Sequence, residues 1–137
     1  MQGLTDFRLA RRAVIEGFKR GSLDRNEICD ANPELLRAAK NIGKACDRPC
    51  PICGQDALRQ VRYVYGDDLK QLSGRPVYPE GWADQLAAEH DEFRCYSVEV
   101  CVECSWNHLA ACYLMGRRYA VAGERRRLGR ARAGRPR

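Results

Sequence analysis

Two short motifs in this chain have the residue types and the spacing to hold a metal ion: Cys50-Pro51-Ile52-Cys53-Gly54 and Cys101-Val102-Glu103-Cys104. Two residues between cysteines let a tight turn aim both thiolates at one point while backbone N–H groups donate to the sulfurs. The glycine after Cys53 suits the positive-φ geometry of such a loop. Two turns of this kind, brought together by antiparallel strands, supply four sulfurs at the corners of a tetrahedron, which is a closed structural Zn²⁺ site. Cys50, Cys53, Cys101 and Cys104 are therefore the expected ligands. The 47 residues between Cys53 and Cys101 exceed the gap of a compact module of this type. Lengthening a closed loop adds only a modest entropic cost, so an insertion accounts for the difference.

Other donors compete for that role. Cys46 precedes Cys50 and Cys53 in a run that could give three thiolates to an iron–sulfur cluster, and His108, four residues after Cys104, could replace one sulfur. The tetrathiolate is the simpler set because it pairs two like knuckles. Cys29 and Cys112 are expected to fill apolar positions. Cys95 alternates with Ser97 and is expected to be partly exposed, and His90, among Glu89, Asp91 and Glu92, to be solvated. Trp106 is expected to pack over the metal site rather than offer its ring to a base.

Catalysis is not expected. A zinc ion closed by four thiolates has no open position for water or substrate, and the chain carries no nucleophile elbow, phosphate-cradling glycine loop or zinc-protease helix motif. Asp67-Asp68 stands after a strand pattern, an ordinary place for turn aspartates. No small-molecule substrate is implied.

The elements that must position the knuckles follow from periodicity. Residues 6–20 read as an amphipathic helix with Phe7, Ala10, Val14, Ile15 and Phe18 at helical spacing, Thr5 or Asp6 at its start and Gly21 at its end. A short helix is expected within 22–28. A third starts at Asn32-Pro33-Glu34, with the cap residue, first-turn proline and acid that favour helix initiation, and stops at Gly43. Together, residues 6–43 are expected to form a helical cap. No helix presents a basic reading face of the helix-turn-helix kind. From Leu58 the period changes to two: Val61, Tyr63 and Tyr65, then Arg94 to Cys101, then Ser105 to Met115 all alternate as strands. Residues 79–93 read as a helix within an insertion at 67–93. The predicted class is α+β: a zinc-ribbon-like antiparallel sheet of about three strands, with an N-terminal helical cap and a helical insertion, in one domain over 1–116.

The chain has 137 residues and a formal charge of +6, unevenly placed. Nine arginines (Arg117, Arg118, Arg125, Arg126, Arg127, Arg130, Arg132, Arg135, Arg137) face one acid, Glu124, so residues 117–137 carry +8 and residues 1–116 carry −2. The tail holds too little apolar surface to offset its ordering entropy and is predicted to be disordered when free. It is expected to bind a polyanion, RNA or DNA, through counterion release. No run nears the ~20 apolar residues of a membrane span, and the N-terminus shows no secretory signal. A cytoplasmic location is expected, which favours metal ligation over disulfides.

The segments Cys29-Asp30-Ala31-Asn32-Pro33, Leu35-Leu36-Arg37-Ala38-Ala39-Lys40, Cys50-Pro51-Ile52-Cys53, Tyr65-Gly66-Asp67-Asp68-Leu69-Lys70 and Val98-Glu99-Val100-Cys101-Val102-Glu103-Cys104-Ser105-Trp106-Asn107-His108-Leu109 resemble a family of small actinobacterial proteins defined as a domain of unknown function. The resemblance covers most of residues 7–116 and leaves the tail outside it. It implies a cytoplasmic zinc-ribbon-like protein without an assigned activity. Rigid ribbons of this kind serve as docking platforms on nucleoprotein complexes such as RNA polymerase or the ribosome.

Overall fold

The computed structural model describes residues 2–119. Its centre is the antiparallel meander expected from the alternating segments: β3 (Leu58–Tyr65), β4 (Phe93–Cys101) and β5 (Asn107–Met115). Edge strands β1 (Gln2–Asp6) and β2 (Lys44–Ala45) extend it to five strands in the order β1-β5-β4-β3-β2. The N-terminal strand was not foreseen; Gln2-Gly3-Leu4-Thr5-Asp6 has no strand pattern of its own and forms by pairing with the free edge of β5.

The register sorts the side chains into two faces. Leu58 pairs with Cys101, Gln60 with Glu99, Arg62 with Ser97 and Val64 with Cys95, so all eight share one face. The alternation predicted along residues 106–115 breaks at Ala110. Ser97 faces Ala111 while Val98 faces Leu109, which leaves Ala110 as an extra residue on β5. The bulge carries Tyr113 and His108 onto the same face, His108 opposite Glu99.

The N-terminal helices cover both faces of the sheet. α1 (Arg8–Lys19) and α2 (Arg25–Ile28) lie over the knuckle end, where Val14, Ile15, Phe18 and Ile28 pack with Leu58, Cys50, Cys101 and Trp106. α3 (Pro33–Ile42) covers the opposite face, with Ala39, Leu35 and Leu36 against Val61, Val98 and Val100. Its start is the expected one: Asn32 Oδ1 accepts the Leu35 N–H at 2.8 Å and Pro33 opens the first turn. Asp6 accepts the Arg8 N–H at the head of α1, and Gly21 beyond its end has φ +82°.

The insertion between β3 and β4 contains a 3-10 turn (Asp67–Leu72) and α4 (Trp82–Glu89). Leu69, Val77, Ala83 and Leu86 from it pack on Val64, Phe93, Cys95 and Tyr113. The helix expected over 79–93 is shorter because His90 is extended, and Phe93 already belongs to β4. Gly116 holds φ +123° where a Cβ would meet the Asp91 carbonyl oxygen, so the chain can turn there only as glycine. The turn Arg117–Tyr119 that follows sets Arg117 Nη2 at 2.9 Å from Asp91 Oδ1 and pairs Arg118 with Glu92. Two of the nine arginines assigned to the tail are thus engaged by acids of the body. The other seven, and the predicted disorder of the tail, lie outside the described residues.

Candidate metal centre

The two knuckles repeat one construction. In the first, the Gly54 N–H donates to the Cys50 carbonyl at 3.0 Å and the Ile52 N–H to Cys50 Sγ at 3.4 Å. In the second, the Ser105 N–H donates to the Cys101 carbonyl at 3.0 Å and the Cys104 N–H to Cys101 Sγ at 3.5 Å. Each turn ends in the left-handed region, at Gly54 with φ +75° and at Ser105 with φ +74°. The glycine expected after Cys53 is therefore matched by a serine after Cys104, in a conformation that costs a side-chain-bearing residue about 1–2 kcal/mol.

Antiparallel pairing of Leu58 with Cys101 brings the turns together at one end of the sheet. The four sulfurs of Cys50, Cys53, Cys101 and Cys104 lie within 4.8 Å of one another. Cys50 Sγ is 3.7 Å from Cys104 Sγ, and Cys53 Sγ is 3.6 Å from Cys101 Sγ. Bonds of ~2.3 Å to a central zinc put tetrahedral sulfurs about 3.8 Å apart. These four side chains can hold a metal ion, and their donor set is all sulfur, which suits a soft or borderline cation.

Burial and neighbouring N–H donors act in opposite directions on three of these thiols. Burial pushes the Cys50 thiol up to about 11, despite N–H donors from Cys53 and Ile52. Burial and the neighbouring Cys29 and Cys50 sulfurs also push Cys104 up, against the opposing Trp106 N–H. Desolvation acts on Cys53 too, but the Gln55 N–H and adjacent thiols outweigh it and hold Cys53 below the ordinary thiol value. A divalent cation bound there would offset the burial that raises Cys50 and Cys104.

The remaining candidates separate clearly. Cys46 is not in the sulfur group; it lines a cleft of about 390 Å³ with Arg48, Gln60, Ser97 and Glu99. His108 is not in it either. Its ring stacks on Trp106 with centroids 5.9 Å apart, and its buried Nε2 has no hydrogen-bond partner among the described residues. Trp106 is 1% exposed and packs with Cys50 and Cys101, as expected of a residue shielding the site. Two expectations are corrected. Cys95 is fully buried beside Tyr113, because the insertion covers its face. His90 is partly buried, with Nδ1 3.5 Å from Asp68 Oδ2. Cys29 packs against the apolar cluster as expected, and it also places Sγ 3.6 Å from Cys104 Sγ. Cys112 is half-buried on β5.

Sequence reasoning missed Glu99. It is 2% exposed and accepts from Arg11 Nε at 2.9 Å, Arg48 Nη2 at 3.0 Å and Trp106 Nε1 at 2.8 Å. The acid ties α1, the segment leading into the first knuckle and the residue following the second to a single strand. A charged residue within an alternating strand gives no sign of burial until its partners are known.

Fold and site together define a small antiparallel α+β protein with paired cysteine knuckles able to hold a metal ion. The chain belongs to a family of unknown function, DUF5318, whose model matches residues 1–129 and so extends beyond the segment that carried the resemblance. Similar proteins include the uncharacterized protein Rv0049 of Mycobacterium tuberculosis and the uncharacterized protein Mb0050 of Mycobacterium bovis. Each is 42% identical over 111 residues, covering 81% of this chain and 80% of the relative. No solved structure matches the chain. Among the described residues, no helix is long and apolar enough to cross a membrane.

Proposed function

We propose that the protein is a non-catalytic zinc-stapled adaptor that associates with nucleic acid, or with a nucleoprotein complex of transcription or translation, through its C-terminal arginines. The observation that carries the zinc assignment is the sulfur spacing of 3.6 and 3.7 Å across the two knuckles, close to the edge of a zinc tetrathiolate. Such a site stabilises the fold and leaves no coordination position for a reacting water.

Charge supports the nucleic-acid half. Zn²⁺ with four thiolates carries −2, which takes residues 1–116 from −2 to −4 and leaves the basic character to residues 117–137. With Arg117 and Arg118 held by Asp91 and Glu92, the seven arginines from Arg125 to Arg137 are the ones assigned to the polyanion. The test is fluorescence-anisotropy titration of single-stranded RNA and duplex DNA with the zinc-loaded full chain and with a chain ending at Tyr119. Binding that weakens steeply with salt and is lost on truncation supports the reading. Absent or salt-insensitive binding by the full chain removes its nucleic-acid half.

A further inference from the structure

Cys29 is a fifth sulfur at the edge of the proposed tetrathiolate, and no ligand role accounts for it. It caps the C-terminal end of α2, and its Sγ lies 3.6 Å from Cys104 Sγ, about as close as Cys104 is to its fellow knuckle sulfur in Cys50. Two further contacts hold this segment against the second knuckle. The Ala31 N–H donates to the Ser105 carbonyl at 3.0 Å, and Asn107 Nδ2 donates to Asp30 Oδ1 at 2.9 Å. One helical turn before Cys29, Arg25 stands beside both sulfurs. Cys29 and Cys104 are each partly accessible, whereas Cys50 and Cys101 are buried.

We infer that Cys29 and Cys104 form an oxidation-sensitive pair, in which a hydroperoxide drives a Cys29–Cys104 disulfide that takes one ligand from the metal and releases it. The inference rests on the zinc reading for its consequence but on sulfur geometry for the bond itself. The Cys29 thiolate, whose electron pairs no metal engages, attacks the peroxide oxygen. The O–O bond breaks, Cys29 becomes a sulfenic acid and hydroxide leaves. Cys104 sulfur then attacks the sulfenic sulfur, the S–O bond breaks with loss of a second hydroxide, and the S–S bond forms. Two sulfurs have together lost two electrons, one hydrogen peroxide has become two waters after protonation, and the metal retains three thiolates. The two sulfurs must close from 3.6 Å to the ~2.05 Å of a disulfide. Cys29 lies at the end of a four-residue helix, so a short segment has to move.

The experiment is a hydrogen peroxide titration of the zinc-loaded full chain, following free Zn²⁺ with a chromophoric chelator and mapping disulfides by peptide mass spectrometry. The wild-type chain is expected to lose two hydrogen masses, yield a peptide linking Cys29 to Cys104 and release its zinc. Cys29→Ser and Cys29→Ala chains, which keep all four knuckle cysteines, are expected to lose that rapid release. Release at the wild-type rate from both variants, or disulfides confined to the four knuckle cysteines, overturns the inference. A chain that purifies without metal yet forms the Cys29–Cys104 link overturns the zinc reading alone; one that holds zinc and never forms the link overturns this inference alone.

Discussion

The indole N–H of Trp106 donates to Glu99 Oε2 at 2.8 Å, joining the residue that shields the sulfur cluster to a carboxylate buried on the neighbouring strand. Arg11 of α1 and Arg48 of the first knuckle's approach complete that carboxylate's shell. Helix, knuckle and strand therefore converge on one negative charge. Removing it strands polar partners whose other contacts were built around it.

Glu99→Gln is accordingly expected to destabilise the chain by about 2–3 kcal/mol, below the full cost of breaking a buried ion pair because Arg48 is half exposed. Arg48→Ala should cost under ~1 kcal/mol for the same reason. Urea denaturation at neutral pH checks both. Equal losses in the two variants would contradict the convergence on Glu99.

The left-handed residues that end the knuckles give opposite expectations. Ser105→Gly relieves the conformational cost at φ +74° and should raise stability by up to about 1 kcal/mol. Gly54→Ala meets no neighbouring atom within 4 Å, so its cost of about 1–2 kcal/mol is backbone strain alone. Denaturation midpoints of the zinc-loaded variants read this directly. A loss of stability in Ser105→Gly would contradict it.

Alkaline pH should weaken the fold through Cys95 and Tyr113. Burial raises the Cys95 thiol above its ordinary 9.0, against the opposing effect of its hydrogen bond with the Tyr113 hydroxyl. Burial and the Cys95 contact likewise raise the Tyr113 phenol above 10.0. Above the unfolded value, the unfolded chain has released a proton that the folded chain retains. Stability is thus whole below pH 9 and declines as pH climbs toward the folded values, by up to about 1.4 kcal/mol per pH unit per group. Chemical denaturation from pH 8 to 10.5 should show this slope in the wild type and one shallower by the share of about one group in each of Cys95→Ala and Tyr113→Phe. An unchanged slope in both variants would contradict it.

What could be read along the chain was what local spacing encodes. Cys50, Cys53, Cys101 and Cys104 are visible because two-residue gaps recur, and β3 and β4 because apolar residues alternate. The unread parts depend on distant partners. Glu99 is buried because Arg11 lies 88 positions away and Trp106 seven positions away. Cys29 becomes a neighbour of Cys104 only through contacts such as Ala31 with Ser105. The Ala110 bulge, which turns His108 toward Glu99, left no mark in an otherwise regular alternation.

Nucleic-acid binding carries a quantitative expectation. If the seven arginines from Arg125 to Arg137 each neutralise one phosphate, the slope of log K against log salt on single strands is about −5. Arg117→Ala and Arg118→Ala should leave that slope unchanged, because both side chains are already paired with the body. A slope that falls with those two variants would place the contact elsewhere.

The zinc assignment is tested most directly by elemental analysis of the full chain purified under reducing conditions, with circular dichroism before and after chelation. The account predicts one zinc per chain, a colourless protein, loss of metal in Cys50→Ser and Cys101→Ser, and loss of folded structure when zinc is withdrawn. A wild-type chain that is folded and metal-free, or that carries iron in place of zinc, would contradict it.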